Sequence, residues 1–331
     1  MSLLPRLAEL TSHHRHHCAG YDRILSALRV GDEFADLTDL PWLPVRLFKT
    51  HVLKSIPDEE VFTVLSSSGT SGSGASRIHL DRAAAAAQTR QLAATLRTVL
   101  GPDRLPMLIV DTARVARARS ARAAGVLGMS TFGRAHTYLL GDDERADPVV
   151  LQRFLARYGG EPFLIFGFTF LVWQHLYALA RDHRLDLSNG ILIHSGGWKK
   201  LADRAVGNAR FRAAFTADTG LTRIHAYYGM VEQIGTIHLE GPSGNGLYCP
   251  DGADVVIRDP QTWREQPVGK PGLIEVLSTL PTSYPGHVLL TEDLGVCHGI
   301  DDGDRPGKRF SVLGRLPKAE PRGCSDTIRA A

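Results

Sequence analysis

Four cysteines in 331 residues (Cys18, Cys249, Cys297 and Cys324) lie far apart with no CxxC pair, which excludes a disulfide framework or a cysteine-built zinc site. No apolar run approaches the roughly 18 residues that a membrane-spanning helix needs. The N-terminus, MSLLPRLAELTSHH, lacks the charged-then-apolar order of a secretory signal. A reducing, cytoplasmic setting is therefore expected. An excess of one charge is missing as well: 38 Lys and Arg against 35 Asp and Glu leave a formal +3. Like charges do not run together in blocks, so neither nucleic acid nor a membrane surface is an expected partner. Internal repeats and long low-complexity tracts are also absent. What is present is 43% apolar residues, enough to bury a substantial core.

Periodicity predicts a helix over about Leu7 to Val30, then an extended, Pro-bounded segment, LPWLPVRLFKT, because each proline disfavours helix in the residue before it. Residues 1–60 are taken as an N-terminal subregion and 61–331 as the core. VFTVL and RIHLD read as strands on either side of a Ser/Gly loop, and Asp81 is placed to cap the helix RAAAAAQTRQLAATLRTVL, which ends at Gly101. Strands LPMLIVD, LIFGF and ILIHS alternate with helices around LVWQHLYALARDH and over about 201 to 217, followed by a strand at RIHAYYGM. Such alternation predicts a layered α/β centre. ADVVIRD, GLIEVLS, HVLLTEDLG and KRFSVLGRL are four further strands, so the C-terminal part is expected to be β-rich.

The loop SSSGTSGSGASR, residues 66–77, offers unobstructed backbone N–H groups and hydroxyl donors, the chemistry a polyphosphate chain requires. A flexible surface linker has the same composition, but flanking strands argue against one. Gly69 to Gly74 has Walker GxxxxG spacing, yet Ala75 stands where the lysine belongs and a strand follows where a helix should begin. SSGTSG with Arg77 resembles instead the phosphate loop of adenylate-forming enzymes. Three further stretches follow in that superfamily's order: SGGWKK (195–200), YYGMVEQ (227–233) and LLTEDLG (289–295), the last similar to a Thr-Gly-Asp motif. LGRLPKAEPRGCSD (313–326) resembles the hinge that follows. LPVRLFK, SARAAGVLGMSTFG, GGWKK and RGCSD are most similar to the acyl-protein synthetases of bacterial bioluminescence operons, the LuxE-type enzymes.

The resemblance implies the large-domain fold of an adenylate-forming enzyme and an ATP-dependent ligase that makes acyl-AMP from a carboxylic acid, with Mg2+ as cofactor. It further implies phosphate contacts from Ser67, Ser68, Gly69, Thr70, Ser71, Gly72 and Arg77, adenine contacts from Gly196, Gly197, Tyr228, Gly229 and Met230, and ribose contacts from Asp293 and Arg315. Glu232 is the implied metal ligand, Cys324 the acyl acceptor, and Phe168 and Gly197 the candidate substrate contacts. Relatives carry a small C-terminal domain with a catalytic lysine; no counterpart is recognised here, and Lys199 is the preferred substitute. Val231 replaces the usual threonine. An acyl-acceptor protein or reductase subunit is the implied partner.

Alternatives stay open at this point. The acyl group could pass to CoA, a carrier protein or an amine, or the chain could be a non-catalytic scaffold. HHRHHC at residues 13–18 has the look of a metal cluster, but only His13 with His17, or His14 with Cys18, share a helix face. Cys249 and Cys297 are expected to be small buried hydrophobes.

Overall fold

The computed structural model describes residues 2–67, 74–117, 121–198 and 206–316. Its strands in chain order are β1 (Leu43–Pro44), β2 (Thr63–Ser66), β3 (Arg77–Leu80), β4 (Leu105–Thr112), β5 (Gly133–Leu140), β6 (Phe163–Phe168), β7 (Gly190–Ser195), β8 (Arg223–Tyr228), β9 (His238–Glu240), β10 (Leu247–Tyr248), β11 (Ala253–Arg258), β12 (Pro271–Ser278), β13 (Val288–Ile300) and β14 (Lys308–Arg315). The chain forms two units, which divide inside the helix Arg82–Leu100, at Thr95, and again between Tyr228 and Gly229.

In the second unit the strands order as β8-β7-β6-β4-β5, every neighbouring pair parallel. Strands covered on both faces read as unbroken apolar runs, and β6, FLIFGF, is buried at every position. The sheet edge is different: β5, GRAHTYLL, carries exposed Arg134 and His136, so alternation does not announce it, and the sequence reading misses it. Helix Asn208–Thr219 begins later than the expected 201, and Gly220 closes it with φ +71°. Trp173 and Tyr177 stack at 4.3 Å in a π-helical stretch, Val172–Tyr177, and Phe211 and Phe215 from helix Asn208–Thr219 join them.

The first unit is built on an antiparallel sheet ordered β11-β12-β13-β14-β10-β9, with β1 added parallel to β13. Its core gathers Leu7, Leu40, Val256, Leu277 and Val288. The expected helix at 7–30 is in fact two, Leu3–His17 and Ala19–Ala27, broken where Cys18 turns extended (φ −127°, ψ 94°). The Pro-bounded segment is extended only through Pro44; past Val45 no proline opposes helix, and Leu47–Thr50 makes one turn. Asp81 caps its helix as expected, its carboxylate accepting from Ala84 N–H at 2.6 Å. β2 and β3 pair antiparallel from Thr63↔Leu80 to Ser66↔Arg77, so the Ser/Gly loop does join two strands.

Candidate functional site

The β2–β3 hairpin is closed at its base by reciprocal bonds. Ser67 N–H donates to the Ser76 carbonyl at 3.1 Å, and Ser76 N–H donates to Ser67 Oγ at 2.9 Å. Ser68, Gly69, Thr70, Ser71 and Gly72 lie outside the described residues, as do Lys199 and Cys324. Gly74 closes the loop, and a Cβ there would sit 3.0 Å from the Lys49 carbonyl. Arg77 is exposed at the start of β3.

Glu232 sits in a 3-10 turn, Val231–Gln233, and is 4% exposed. Its carbonyl accepts from the Tyr284 hydroxyl at 2.9 Å. Burial first, then the Glu232 charge, pushes the Tyr284 phenol up. Gln233 Nε2 donates to the Gly286 carbonyl at 2.9 Å and the Val276 carbonyl at 3.2 Å. A Cβ on Gly286 would meet the Glu232 carbonyl at 2.9 Å, and one on Gly235, at φ +87°, would meet Gln88 Cα at 2.7 Å. The turn is thus pressed between the helix Arg82–Leu100 and the segment Pro281–His287. That same segment reaches the hairpin, where Ser283 Oγ donates to the His79 carbonyl at 2.9 Å, and Phe48 meets Tyr284 edge-on at 5.9 Å. A buried loop must satisfy its polar groups, and here those bonds tie the β2–β3 hairpin to the Glu232 turn.

Asp293 and Arg315, drawn from two different motifs, are register partners on β13 and β14, with Arg315 Nε 3.1 Å from Asp293 Oδ1. Thr291 holds the approach to Asp293: its hydroxyl donates to the Ile274 carbonyl at 2.7 Å and accepts from Asp293 N–H at 3.1 Å. On the other side of this strand Val45 N–H donates to the Leu290 carbonyl at 2.9 Å. Arg46 Nε and Nη2 both reach Glu292 Oε1, at 2.9 and 2.6 Å. Sequence reasoning missed Arg46, Thr291 and Tyr284. For Arg46 a signal existed, since Glu292 stands where the Thr-Gly-Asp motif has glycine.

In the second unit, β7 ends at Ser195 and the chain turns at Gly196, φ +86°, whose added Cβ would meet Phe168 Cδ1 at 3.4 Å. Gly197 faces open space. Phe168 ends β6, is 3% exposed, and meets Phe166 at 6.1 Å. Tyr228 ends β8. Tyr227 and Tyr228 are both half-buried. Gly229 and Met230 open the first unit's part of that motif, and a Cβ on Gly229 would meet Ile237 Cγ2 at 3.2 Å.

The histidine run is engaged within the protein. His14, fully buried, is hydrogen-bonded to Ser55 Oγ at 2.7 Å and to the Pro281 carbonyl at 3.0 Å. Cys297 is buried as expected, whereas Cys249 is half-buried; burial raises both thiols, which makes them poor nucleophiles. Among the described residues no three His, Cys, Asp or Glu side chains group to hold a metal, and no helix is long and apolar enough to cross a membrane.

The family model for acyl-protein synthetase, LuxE, matches residues 5–331. The long-chain-fatty-acid–luciferin-component ligase of Vibrio harveyi is 24% identical over 340 residues, covering 96% of this chain and 85% of the relative. A ligase of the same name from Aliivibrio fischeri is 25% identical over 174 residues, covering 50% and 43%. Among solved structures, 2-hydroxyisobutyryl-CoA ligase in complex with 2-HIB-AMP superposes with a TM-score of 0.70 at 18% identity, over 95% of this chain and 67% of that one. ATP-bound MatB from Rhodopseudomonas palustris gives 0.53 at 19% identity, over 79% and 49%. These likenesses are of fold, and they match the layered α/β architecture with a β-rich C-terminal part read from the sequence. With one family model spanning nearly every residue, the chain belongs to the acyl-protein synthetase LuxE family and is an adenylate-forming ligase.

Proposed function

We propose that the protein activates a long-chain fatty acid as acyl-AMP at the expense of ATP, then carries the acyl group as a thioester on Cys324. The fatty acid is the substrate class of the Vibrio harveyi relative, a long-chain-fatty-acid–luciferin-component ligase. The observation that supports the nucleotide reading most is the pairing of Asp293 with Arg315 across β13 and β14, at 3.1 Å. Asp293 accepts the ribose hydroxyls and Arg315 holds that carboxylate in place, which fixes the α-phosphorus against the incoming acid.

In the first step a carboxylate oxygen attacks the α-phosphorus, the bond to the β-phosphate bridging oxygen breaks, and pyrophosphate leaves. Two anions must approach, so donors count most. Residues 67–72 and Arg77 supply N–H, O–H and guanidinium donors to the phosphates. The buried carboxylate of Glu232 suits Mg2+, a hard cation held by one or two carboxylates together with substrate phosphates. When bound, the metal offsets the charge that builds on the phosphate oxygens. Tyr284, Gln233 and Gly286 keep the Glu232 turn in place. By resemblance, Gly196, Gly197, Tyr228, Gly229 and Met230 are assigned to the adenine, and Phe168, which a Cβ on Gly196 would meet at 3.4 Å, to the acyl end. Lys199 adds a point charge toward the α-phosphate.

In the second step the Cys324 thiolate attacks the acyl carbon and AMP departs with the C–O electron pair; Arg322, two residues away, favours the thiolate. A partner reductase or acceptor protein would then take the thioester. Incubation with ATP, Mg2+ and radiolabelled fatty acid tests this. Wild-type protein should release acyl-AMP and carry label after denaturing electrophoresis, whereas Cys324→Ser should still make acyl-AMP and carry none. Label persisting on the serine variant removes Cys324 from the mechanism, and product analysis with CoA, carrier protein and amines then identifies the acceptor.

A further inference from the structure

Glu292 puts a second carboxylate directly beside Asp293, at a position where the motif it resembles has glycine. A negative charge there repels an anionic nucleotide unless a cation offsets it. Arg46 supplies that cation, with Nε at 2.9 Å and Nη2 at 2.6 Å from Glu292 Oε1. The two ends of this pair differ: the Glu292 side chain is 12% exposed and the Arg46 side chain 63%. Arg46 is not a loose surface residue, because its backbone is fixed on both sides. Val45 N–H is bonded to the Leu290 carbonyl, and Arg46 is the N-cap of helix Leu47–Thr50. Glu292 is fixed likewise, its carbonyl accepting from Leu316 N–H at 3.0 Å, one residue past the Arg315 that pairs with Asp293. The stretch 292–293 is therefore gripped by Arg46 through one side chain, by Arg315 through the other, and by Leu316 through the main chain.

We propose that Arg46 is a positioning residue for nucleotide binding: it neutralises and anchors Glu292, so that Asp293 alone presents negative charge to the ribose. The idea rests on the reading of Asp293 given above. It goes beyond that reading by assigning a role to the LPVRLFK segment and to the acid in place of the motif's glycine. An ion pair with one end in water adds little to folding stability. Its effect on a bound anion is larger, because the Glu292 side chain is only 12% exposed and water screens its charge weakly.

The test is a double-mutant cycle on the full chain, with pyrophosphate–ATP exchange and thermal melting as readouts. Arg46→Ala should raise the KM for ATP on the order of ten-fold with kcat nearly unchanged, and the rise should shrink as salt is added. Arg46→Lys should show a smaller rise. Combining Arg46→Ala with Glu292→Gln should bring the KM back to within about three-fold of Glu292→Gln alone, since the repelling charge is gone. The proposal is overturned if Arg46→Ala leaves the KM unchanged, or if the double variant is as impaired as Arg46→Ala. A fall in Tm for Arg46→Ala that the double variant shares would make the pair merely structural and also overturn it. Wild-type protein without exchange for any acid would instead remove the parent reading, and this one with it.

Discussion

The hydroxyl of Tyr284 donates a 2.9 Å hydrogen bond to the carbonyl of Glu232, and both residues are buried. One side chain from a loop thus holds the turn that carries the carboxylate proposed as the Mg2+ ligand. Tyr284→Phe keeps the ring and removes the donor. The loss should cost about 1 to 3 kcal/mol of stability and slow pyrophosphate exchange by about three- to thirty-fold, with the Mg2+ requirement moved to higher concentration. Unchanged exchange in a variant with lowered Tm would show that the bond supports the fold and not the site.

Glu232→Gln addresses the carboxylate itself. The amide keeps the shape and loses the charge, so exchange should drop by about 100-fold or more, while the melting temperature stays close to wild type. Activity within a few-fold of wild type would eliminate Glu232 as the metal ligand.

Arg258 and Glu275 make a buried bidentate pair on β11 and β12, with Nη2 to Oε1 at 3.0 Å and side chains 5% and 0% exposed. Burial raises the Glu275 carboxyl to about 7, against the pull of the arginine. Arg258→Met strands that carboxylate and should cost about 3 to 5 kcal/mol in urea melts; Arg258→Met with Glu275→Leu should recover most of it. An Arg258→Met protein as stable as wild type would refute this account of the sheet.

Burial holds His194, His238 and His287 each down to about 3, and His14 well below the usual histidine range. In the window between about 3 and 6.5 the unfolded chain binds protons that the folded one does not. Stability is therefore fully present near pH 7 and falls as pH drops, by about 1.4 kcal/mol per pH unit for each such histidine. Melting curves from pH 7.5 to 4.5 should show a steep decline, and His287→Gln should flatten it by about one proton. A flat profile in wild type would show that these rings are protonated in the folded protein.

How far the sequence was legible depended on what kind of signal each feature leaves. β11, β12 and β13 announce themselves by β-branched apolar runs. β5 does not, because an edge strand can expose Arg134 and His136, and two-residue β10 is too short for any period. The break at Cys18 carries no Pro or Gly; it is held by tertiary bonds, with Arg15 reaching Asp22 at 3.2 Å and Asp32 at 2.8 Å. In the site, Asp293 and Arg315 were each visible through their motifs, but their pairing depends on a register that only the folded sheet shows. The segment PTSYPGH reads as a plain turn. Its Ser283, Tyr284 and His287 nonetheless make buried joints to His79, Glu232 and Thr11, long-range bonds that no local pattern encodes.

The most direct test is exchange of labelled pyrophosphate into ATP by purified full-length protein, with Mg2+ and a panel of carboxylic acids from short to long chain. The account predicts exchange that requires both Mg2+ and an acid, is strongest with long-chain fatty acids, and is lost in Asp293→Ala at ordinary ATP concentrations. Absence of acid-dependent exchange across the panel, in protein that melts cooperatively, would contradict it.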